Sequence, residues 1–221
     1  MKRIATAAVL VAMAALCVSD ARTAPTPSEV PVTWEISIRL DTPKPIQVRP
    51  PGKDKVQTCW YLRYTVTNKT GGDRTFFPSF VLYTDTGEML RAGRKVPPNA
   101  FDEIKKLYND PLLEDMSAMT GKLLQGEDQA KSGVAIWRDF DPKAGSFDVF
   151  IGGLSGENVE IKLPRPIQVT RLNEMTGAKT VVETDLVTLT KTMQLTYRVS
   201  AGAAARPTAG VKLVKKGWVM R

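Results

Sequence analysis

Apolar and polar residues alternate along most of the chain with the period of a β-strand. In the first such stretch, residues 32–40, every second residue is apolar and the residues between them are Thr, Glu, Ser and Arg. Because successive side chains of a strand leave opposite faces of the sheet, this pattern predicts a half-buried strand. Further stretches of this kind, separated by turn residues, lie at residues 56–67, 75–84, 122–125, 133–140, 146–152 and 159–163. A series of short strands joined by turns predicts a mainly β protein, with an antiparallel β-sandwich over residues 31–163.

The period changes once, in the middle of the chain. Four apolar residues recur there at the three- and four-residue spacing of a helix: Phe101, Ile104, Leu107 and Tyr108. Asn99 is suited to cap the start of this helix, and Asp110-Pro111 ends it. Residues 112–119 are expected to form a second short helical turn. The prediction is a short helical insertion, at about residues 98–120, lying over a sheet.

Residues 164–221 are predicted to form a C-terminal β extension packed on the sandwich. Within this segment, residues 167–172 and 180–190 flank a cluster of turn-forming residues and predict a hairpin. Alternation over residues 192–199 and the apolar residues of 211–221 predict two more strands, joined by a linker rich in small residues.

The N-terminus has the pattern of a secretory signal peptide. Lys2 and Arg3 precede an apolar stretch at residues 4–18, and small residues allow cleavage after Ala21. This stretch of fifteen residues, interrupted by Thr6, is shorter than the roughly 20 residues that a spanning helix needs, and no other stretch approaches that length. We therefore expect a signal peptide at residues 1–21, a flexible spacer at residues 22–30, and a mature chain without a transmembrane span.

Two alternatives to ordinary cleavage remain open. Cys17 ends the apolar stretch and is a possible lipidation site, although the bulky Leu16 before it departs from the usual lipoprotein pattern. A retained N-terminal anchor is the other alternative. In each case the sequence predicts export, to the periplasm, the cell envelope or the extracellular space.

Five motifs carry a resemblance to other exported proteins. They are WYLRYTVTN at residues 60–68, FVLYTDTG at 80–87, LQGED at 124–128, GVAIWRDFDP at 133–142 and FIGGLSG at 150–156. Together they resemble a group of secreted proteins of planctomycete type. More distantly, the core is similar to immunoglobulin-like domains of bacterial cell-envelope lipoproteins. The resemblance covers residues 31–163, with a further match at Trp218-Val219-Met220-Arg221. It implies export and an immunoglobulin-like sandwich, and it carries no activity.

Composition removes several classes of chemistry. The 221 residues include no histidine and two cysteines, which excludes histidine-based triads, histidine metal sites and thiolate zinc sites. We expect no catalytic residue and no cofactor. After cleavage Cys59 remains as a lone thiol, and either burial in a strand or an intermolecular disulfide would account for it.

Three acids near one turn form a weak candidate metal site. Asp139, Asp141 and Asp148 could supply oxygen ligands for Ca²⁺. The spacing departs from the EF-hand pattern, because Lys143 occupies the fifth position counted from Asp139. A solvated turn is the competing interpretation.

The charge is concentrated at one end of the chain. Lys and Arg number 31 against 23 Asp and Glu, a net charge of +8. Residues 22–163 carry 19 basic and 19 acidic residues, whereas residues 164–221 carry 10 basic and 3 acidic residues. After the last acid, Asp185, seven basic residues follow, and they are the candidate docking residues: Lys191, Arg198, Arg206, Lys212, Lys215, Lys216 and Arg221.

An uneven charge of this kind is typical of a protein that binds an anionic surface. In an exported protein the partner would be an acidic glycan, a lipid headgroup or an acidic protein. Nucleic acid is not expected, because export argues against it and the segment lacks aromatic residues for stacking bases. Protection of an exposed edge strand by lysines is the alternative explanation.

The sequence as a whole predicts an exported, non-catalytic binding or structural module of the cell envelope. Two alternatives remain. The first is a carboxylate-dependent hydrolase of envelope polysaccharide, and the second is an accessory subunit that docks through residues 186–221.

Overall fold

The computed structural model describes residues 24–172, 179–199 and 210–221. These ranges contain thirteen strands and one helix. The strands are β1 (Ser37–Leu40), β2 (Lys44–Val48), β3 (Gln57–Asn68), β4 (Arg74–Phe76), β5 (Ser79–Thr84), β6 (Met89–Arg91), β7 (Leu113–Glu114), β8 (Gly121–Leu123), β9 (Gly126–Arg138), β10 (Ser146–Gly152), β11 (Asn158–Leu172), β12 (Lys179–Val199) and β13 (Val211–Met220), and the helix is α1 (Ala100–Tyr108). The predicted signal peptide lies outside the described residues. No helix in these ranges is long and apolar enough to cross a membrane.

The strands form two main sheets. In the five-stranded sheet, β1 and β2 both pair with β3, which is followed by β9 and β7. The six-stranded sheet has the order β11-β12-β10-β5-β6, with β13 also paired to β12. The named strands pair antiparallel, except that β7 runs parallel to β9. A small third sheet joins β4 to β8.

The main core lies between the two sheets. Trp60 of β3 and Trp137 of β9 face it from the five-stranded sheet, and Phe80 of β5 and Phe147 of β10 face it from the other. The ring of Phe147 meets Trp60 edge-on and stacks on Tyr197 of β12. Two sheets packed face to face confirm the predicted mainly β sandwich.

A second, smaller core lies on the outer face of the five-stranded sheet. Ile104 and Ala100 of α1 pack there against Cys59, Tyr61 and Val134. β3 is therefore covered on both faces, which explains why residues 59–62 are buried without alternation. The layer order is helix, five-stranded sheet and six-stranded sheet.

The helical insertion is shorter than predicted. α1 ends before Asn109, which adopts a left-handed backbone conformation. The Asn99 side chain does not cap the helix and instead donates a hydrogen bond to the Arg49 carbonyl. The prediction of a second helical turn at residues 112–119 is wrong at Leu113 and Glu114, because these two residues form strand β7 and pair with β9.

The C-terminal segment is part of the sandwich. The boundary predicted at residues 163/164 falls inside β11, and residues 191–199 of β12 lie between β10 and β13. Leu195 and Tyr197 belong to the main core. The structure therefore contradicts one part of the prediction: these strands are not packed on a complete sandwich, because the larger sheet needs them to complete its inner face.

The first half of β12 continues away from the core as a two-stranded ribbon. We define the ribbon as β11 together with residues 179–190 of β12, which pair antiparallel. Wherever its side chains are described, none of them is buried. The stretch between its strands, residues 173–178, lies outside the described residues.

A buried cation lies where the ribbon joins the sheet. Lys191 is 1% exposed, and its Nζ lies 2.7 Å from Glu35 Oε1 and 3.1 Å from Glu157 Oε2. The same ammonium group donates to the Ser28 carbonyl at 2.7 Å, and the Ser28 N–H donates to Glu157 Oε1 at 2.8 Å. Ser28 belongs to the predicted flexible spacer, so this part of the spacer is instead bound to the sheet.

Both sides of this cluster favour the charged state. The hydrogen bond from the Ser28 N–H lowers the pKa of Glu157, burial opposes that shift, and Lys191 adds to it. Burial acts to lower the pKa of Lys191, but its bonds to Glu35 and Glu157 outweigh burial and raise the pKa. The cluster is thus an ion pair at neutral pH.

The structure describes Cys59 as a free, buried thiol. Burial, helped by the negative charge of Asp139, raises the pKa of this thiol to about 11. The thiolate is the reactive form. Burial therefore accounts for this cysteine without an intermolecular disulfide.

Replacing Lys191 with Met should lower the free energy of unfolding by about 3 kcal/mol, because Glu35 and Glu157 would lose the cation that compensates their partial burial. The matched control is Lys162→Met, which removes an exposed ion pair with Asp185 and should change stability by less than about 1 kcal/mol. Urea denaturation of both variants measures the difference. Equal losses would contradict a special role for Lys191.

Glu157→Gln should alter the acid limb of the stability curve. A carboxyl group whose pKa is lowered by folding stabilises the native state above its usual pKa of 4.5, and this contribution disappears as the pH falls through the folded value. The stability difference between wild type and variant should be constant at neutral pH and should shrink below about pH 4.5. Denaturation series at several pH values test this, and a difference independent of pH argues against it.

Cys59 should react with a thiol reagent only when the protein unfolds. At pH 8 the native protein should show no fast-reacting thiol, and one thiol per chain should appear in denaturant, because the folded pKa is about 11. Mature protein lacking Cys17 is the sample for this assay. Rapid labelling of the native protein at pH 8 is the opposing outcome.

Candidate functional site: the basic outer face of the larger sheet

The outer face of the six-stranded sheet faces solvent. Burial alternates along its strands: Phe80 and Leu82 of β5 point into the core, whereas Val81 and Tyr83, which alternate with them, are more exposed. In the described parts of the chain no helix or strand packs over this face, in contrast to the helix-covered sheet on the other side. It is therefore an open sheet surface.

Strand register places basic residues together on this surface. Directly opposed residues of an antiparallel pair share a face. Arg198 lies opposite Lys212, and the outward-facing Thr196 lies opposite Lys215. On the far side of the sheet, Arg91 of β6 lies opposite Val81.

Arg221 completes the group at the end of β13. Its backbone exchanges hydrogen bonds with Thr190, at 2.8 and 3.0 Å. Its guanidinium carbon lies 4.0 Å from the centre of the Phe150 ring, whose alternation on β10 points it outward. We call the five residues the basic face: Arg91, Arg198, Lys212, Lys215 and Arg221.

The charges of the basic face are not compensated within the structure. All five side chains are exposed, and none forms an ion pair with another described residue. Uncompensated charges of one sign on a surface attract polyanions and repel one another. Repulsion among these cations lowers the stability of the fold, and an anionic partner would relieve it.

A hydrogen-bonded polar patch occupies the middle of the face. Asp148 of β10 accepts a bond from Thr196 Oγ1 at 2.5 Å and another from Gln194 Nε2 at 3.1 Å. The one acid at the centre is thus held by β12. Four strand spacings separate β13 from β6, so the cations at the two margins lie about 19 Å apart across the sheet.

The seven residues predicted to dock the protein separate into four groups. Arg198, Lys212, Lys215 and Arg221 share the basic face. Lys216 is exposed but lies opposite the inward-facing Leu195, on the other side of edge strand β13. Lys191 is wrong as a docking residue, because its charge is buried and paired. Arg206 lies outside the described residues.

Sequence reasoning missed Arg91. It belongs to the charge-balanced part of the chain and to a strand of three residues. Only the pairing of β6 with β5 brings it to the same face as the C-terminal cations. Cross-strand neighbours of this kind depend on strand order, which the local pattern did not predict.

The candidate metal ligands do not form a site. Asp148 points from the middle of β10 toward β12. Asp139 Oδ1 instead accepts hydrogen bonds from Trp60 Nε1 and the Phe140 N–H, and Asp141 Oδ1 accepts the Lys143 N–H. Within the described ranges, no three acids, cysteines or histidines are grouped as metal ligands would be. The weak Ca²⁺ candidate therefore has no grouped ligands, because the local turn and the sheet bind these carboxylates separately.

Comparison with known proteins gives little beyond this geometry. No family model matches the chain, and no curated protein matches it. A secreted protein from Mycobacterium tuberculosis, MPT63, is structurally similar at a TM-score of 0.32, with 16% identical residues, over 55% of this chain and 90% of that one. A likeness at this level supports no conclusion about function. The resemblance to planctomycete-type proteins and to immunoglobulin-like domains stays a prediction.

Proposed function

We propose that this protein is an exported, non-catalytic module whose basic face binds an acidic glycan of the cell envelope. The observation that carries the proposal is the convergence of five exposed, unpaired cations on one open sheet surface. Export rests on the signal-peptide pattern of residues 1–21.

An extended polyanion suits the shape of this surface. The cations lie at both margins of a broad sheet and do not converge on a pocket. A polymer with regularly repeated carboxylate or sulfate groups can contact both margins at once, and each contact adds to the avidity of the chain. A single small anion would reach one margin only.

The middle of the face supports a sugar polymer over a lipid surface. Gln194 and Thr196 donate to Asp148 and keep further hydrogen-bonding capacity through their side-chain oxygens. Tyr83, opposite Asp148 on β5, is 44% exposed. Hydroxyl groups of a glycan can use such partners, and the faces of sugar rings pack on aromatic rings. A bilayer surface would make little use of a hydrogen-bonding patch enclosed by cations.

The alternative of a carboxylate hydrolase has weaker support. Glycosidases use one carboxylic acid and one carboxylate across a cleft. The acids of the shallow hollow at residues 86–88 and 138–142 are occupied in structural contacts. Glu88 pairs with Arg138 and accepts the Asp141 N–H, and Asp139 accepts the Trp60 indole N–H. These contacts hold the turns together.

Removing four of the five charges of the basic face should weaken binding to polygalacturonate by about tenfold or more at low ionic strength. The variant carries Arg198→Gln, Lys212→Gln, Lys215→Gln and Arg221→Gln. Binding of the mature wild-type protein should fall as salt rises, because exposed charges are screened. Calorimetry or biolayer interferometry with immobilised polymer gives both measurements.

A matched control separates this surface from net charge. The control replaces four exposed cations on or near β2, Lys44, Arg49, Lys53 and Lys55, with Gln. It removes the same charge and should retain most of the binding. Equal weakening in both variants would overturn the basic face as the site.

Other outcomes would also refute the proposal. Binding to vesicles containing phosphatidylglycerol, without binding to the glycan, would identify a lipid surface. Shortening of the polymer by purified protein would make the protein a hydrolase. Capture of an acidic protein through residues 186–221, with no glycan binding, would favour the accessory subunit.

A further inference from the structure

The outer edge that β12 forms in the ribbon has no partner strand in the described structure. Thr190 and Arg221 exchange backbone hydrogen bonds, which places β13 along one edge of β12 up to residue 190. The Lys191 N–H donates to the Glu157 carbonyl on the opposite edge, where β10 and then β11 pair. Over residues 179–189, no described strand pairs with the edge of β12 that continues the line of β13.

The two outer edges of the ribbon differ in their protection. β11 contains Pro164 and Pro166, and its register shifts between Lys162 and Ile167. Prolines and bulges are features that block pairing of edge strands. β12 has no proline. Its open segment includes Thr180, Val181, Val182 and Thr184, residue types that favour strands.

The open part of the β12 edge is short and well defined. The Thr184 hydroxyl accepts the Leu186 N–H at 3.1 Å and lies 3.2 Å from the Leu186 carbonyl, so the side chain satisfies the edge groups of Leu186. Pairing can therefore use residues 179–185. Val181, in the middle of this segment, is 61% exposed.

This segment is complementary to itself. In an antiparallel pair of two copies centred on Val182, Lys179 of each copy lies opposite Asp185 of the other. Thr180 lies opposite Thr184, and Val182 meets Val182 on the two-fold axis. Opposed charges and β-branched pairs stabilise antiparallel strands. Asp185 already has Lys162 as a neighbour at 3.4 Å, and its side chain remains partly exposed.

Other registers are less favourable. An antiparallel pair centred on Val181 also places unlike charges, Lys179 and Glu183, opposite each other, but it pairs only residues 179–183. Centring on Glu183 places two carboxylates against each other. The register centred on Val182 uses the whole open segment, from residue 179 to residue 185.

We propose that two copies of this protein associate through the edge of β12, with residues 179–185 paired antiparallel about a two-fold axis at Val182. The two ribbons then form one continuous four-stranded sheet. Such an interface is self-complementary, as a two-fold dimer requires. The inference is independent of the basic face, which is formed by other residues.

Cysteine cross-linking tests the register. In a hydrogen-bonded antiparallel pair, Cα atoms lie about 5.5 Å apart, within the range of a disulfide. Mature Val182→Cys should form a covalent dimer under mild oxidation. Val181→Cys is the matched control and should not, because it faces Glu183 of the second copy. The buried Cys59 gives no background. Absence of the Val182→Cys dimer, or equal cross-linking at both positions, would overturn the proposal.

A charge exchange tests the pairing without a covalent bond. Asp185→Lys opposes two lysines at each end of the interface and should weaken dimerisation about tenfold or more in sedimentation experiments. The double variant Lys179→Asp and Asp185→Lys restores unlike charges and should restore the dimer. Far-ultraviolet circular dichroism and melting curves show that each variant is folded. A wild-type protein that stays monomeric at about 100 μM, or a double variant no better than Asp185→Lys, would refute the interface.

Discussion

The buried ammonium group of Lys191 holds together the N-terminal segment, the larger sheet and the base of the ribbon. A charge removed from water needs partners close by. Glu35 and the Ser28 carbonyl supply them from the N-terminal segment, and Glu157 supplies one from the residues just before β11. Lys191 also lies where β12 passes from the ribbon into the sheet. The same ion cluster therefore binds the N-terminal segment to the sheet and fixes the base of the ribbon.

The unequal covering of the two sheets explains where function can reside. Helix α1 packs on the five-stranded sheet through Ala100 and Ile104, so β3 is buried on both faces at residues 59–62. The six-stranded sheet keeps one face exposed to solvent, and the four C-terminal cations of the basic face lie there without ion-pair partners among the described residues. The open face and the β12 edge of the ribbon are where we propose that binding takes place.

Much of the fold was predictable because alternation is a local property. The stretches around Trp60, Phe80 and Phe147 predicted strands that the structure contains. The site was only partly predictable. Lys191 stands between two threonines in a strand pattern and resembles any surface lysine; only Glu35 and Glu157, distant in sequence, show that it is buried. Arg91 was missed for a different reason: it lies in a three-residue strand of the charge-balanced part of the chain, so neither the alternation nor the charge distribution marks it.

The sequence by itself determined the sandwich class, the position of the helix and the excess of cations after Asp185. Each of these follows from composition or from side-chain periodicity within about ten residues. The tertiary structure decided which cations share a face, which one is buried, and that residues 164–221 complete the larger sheet. Those outcomes depend on strand order and register, because one step of register turns every side chain of a strand to the other face.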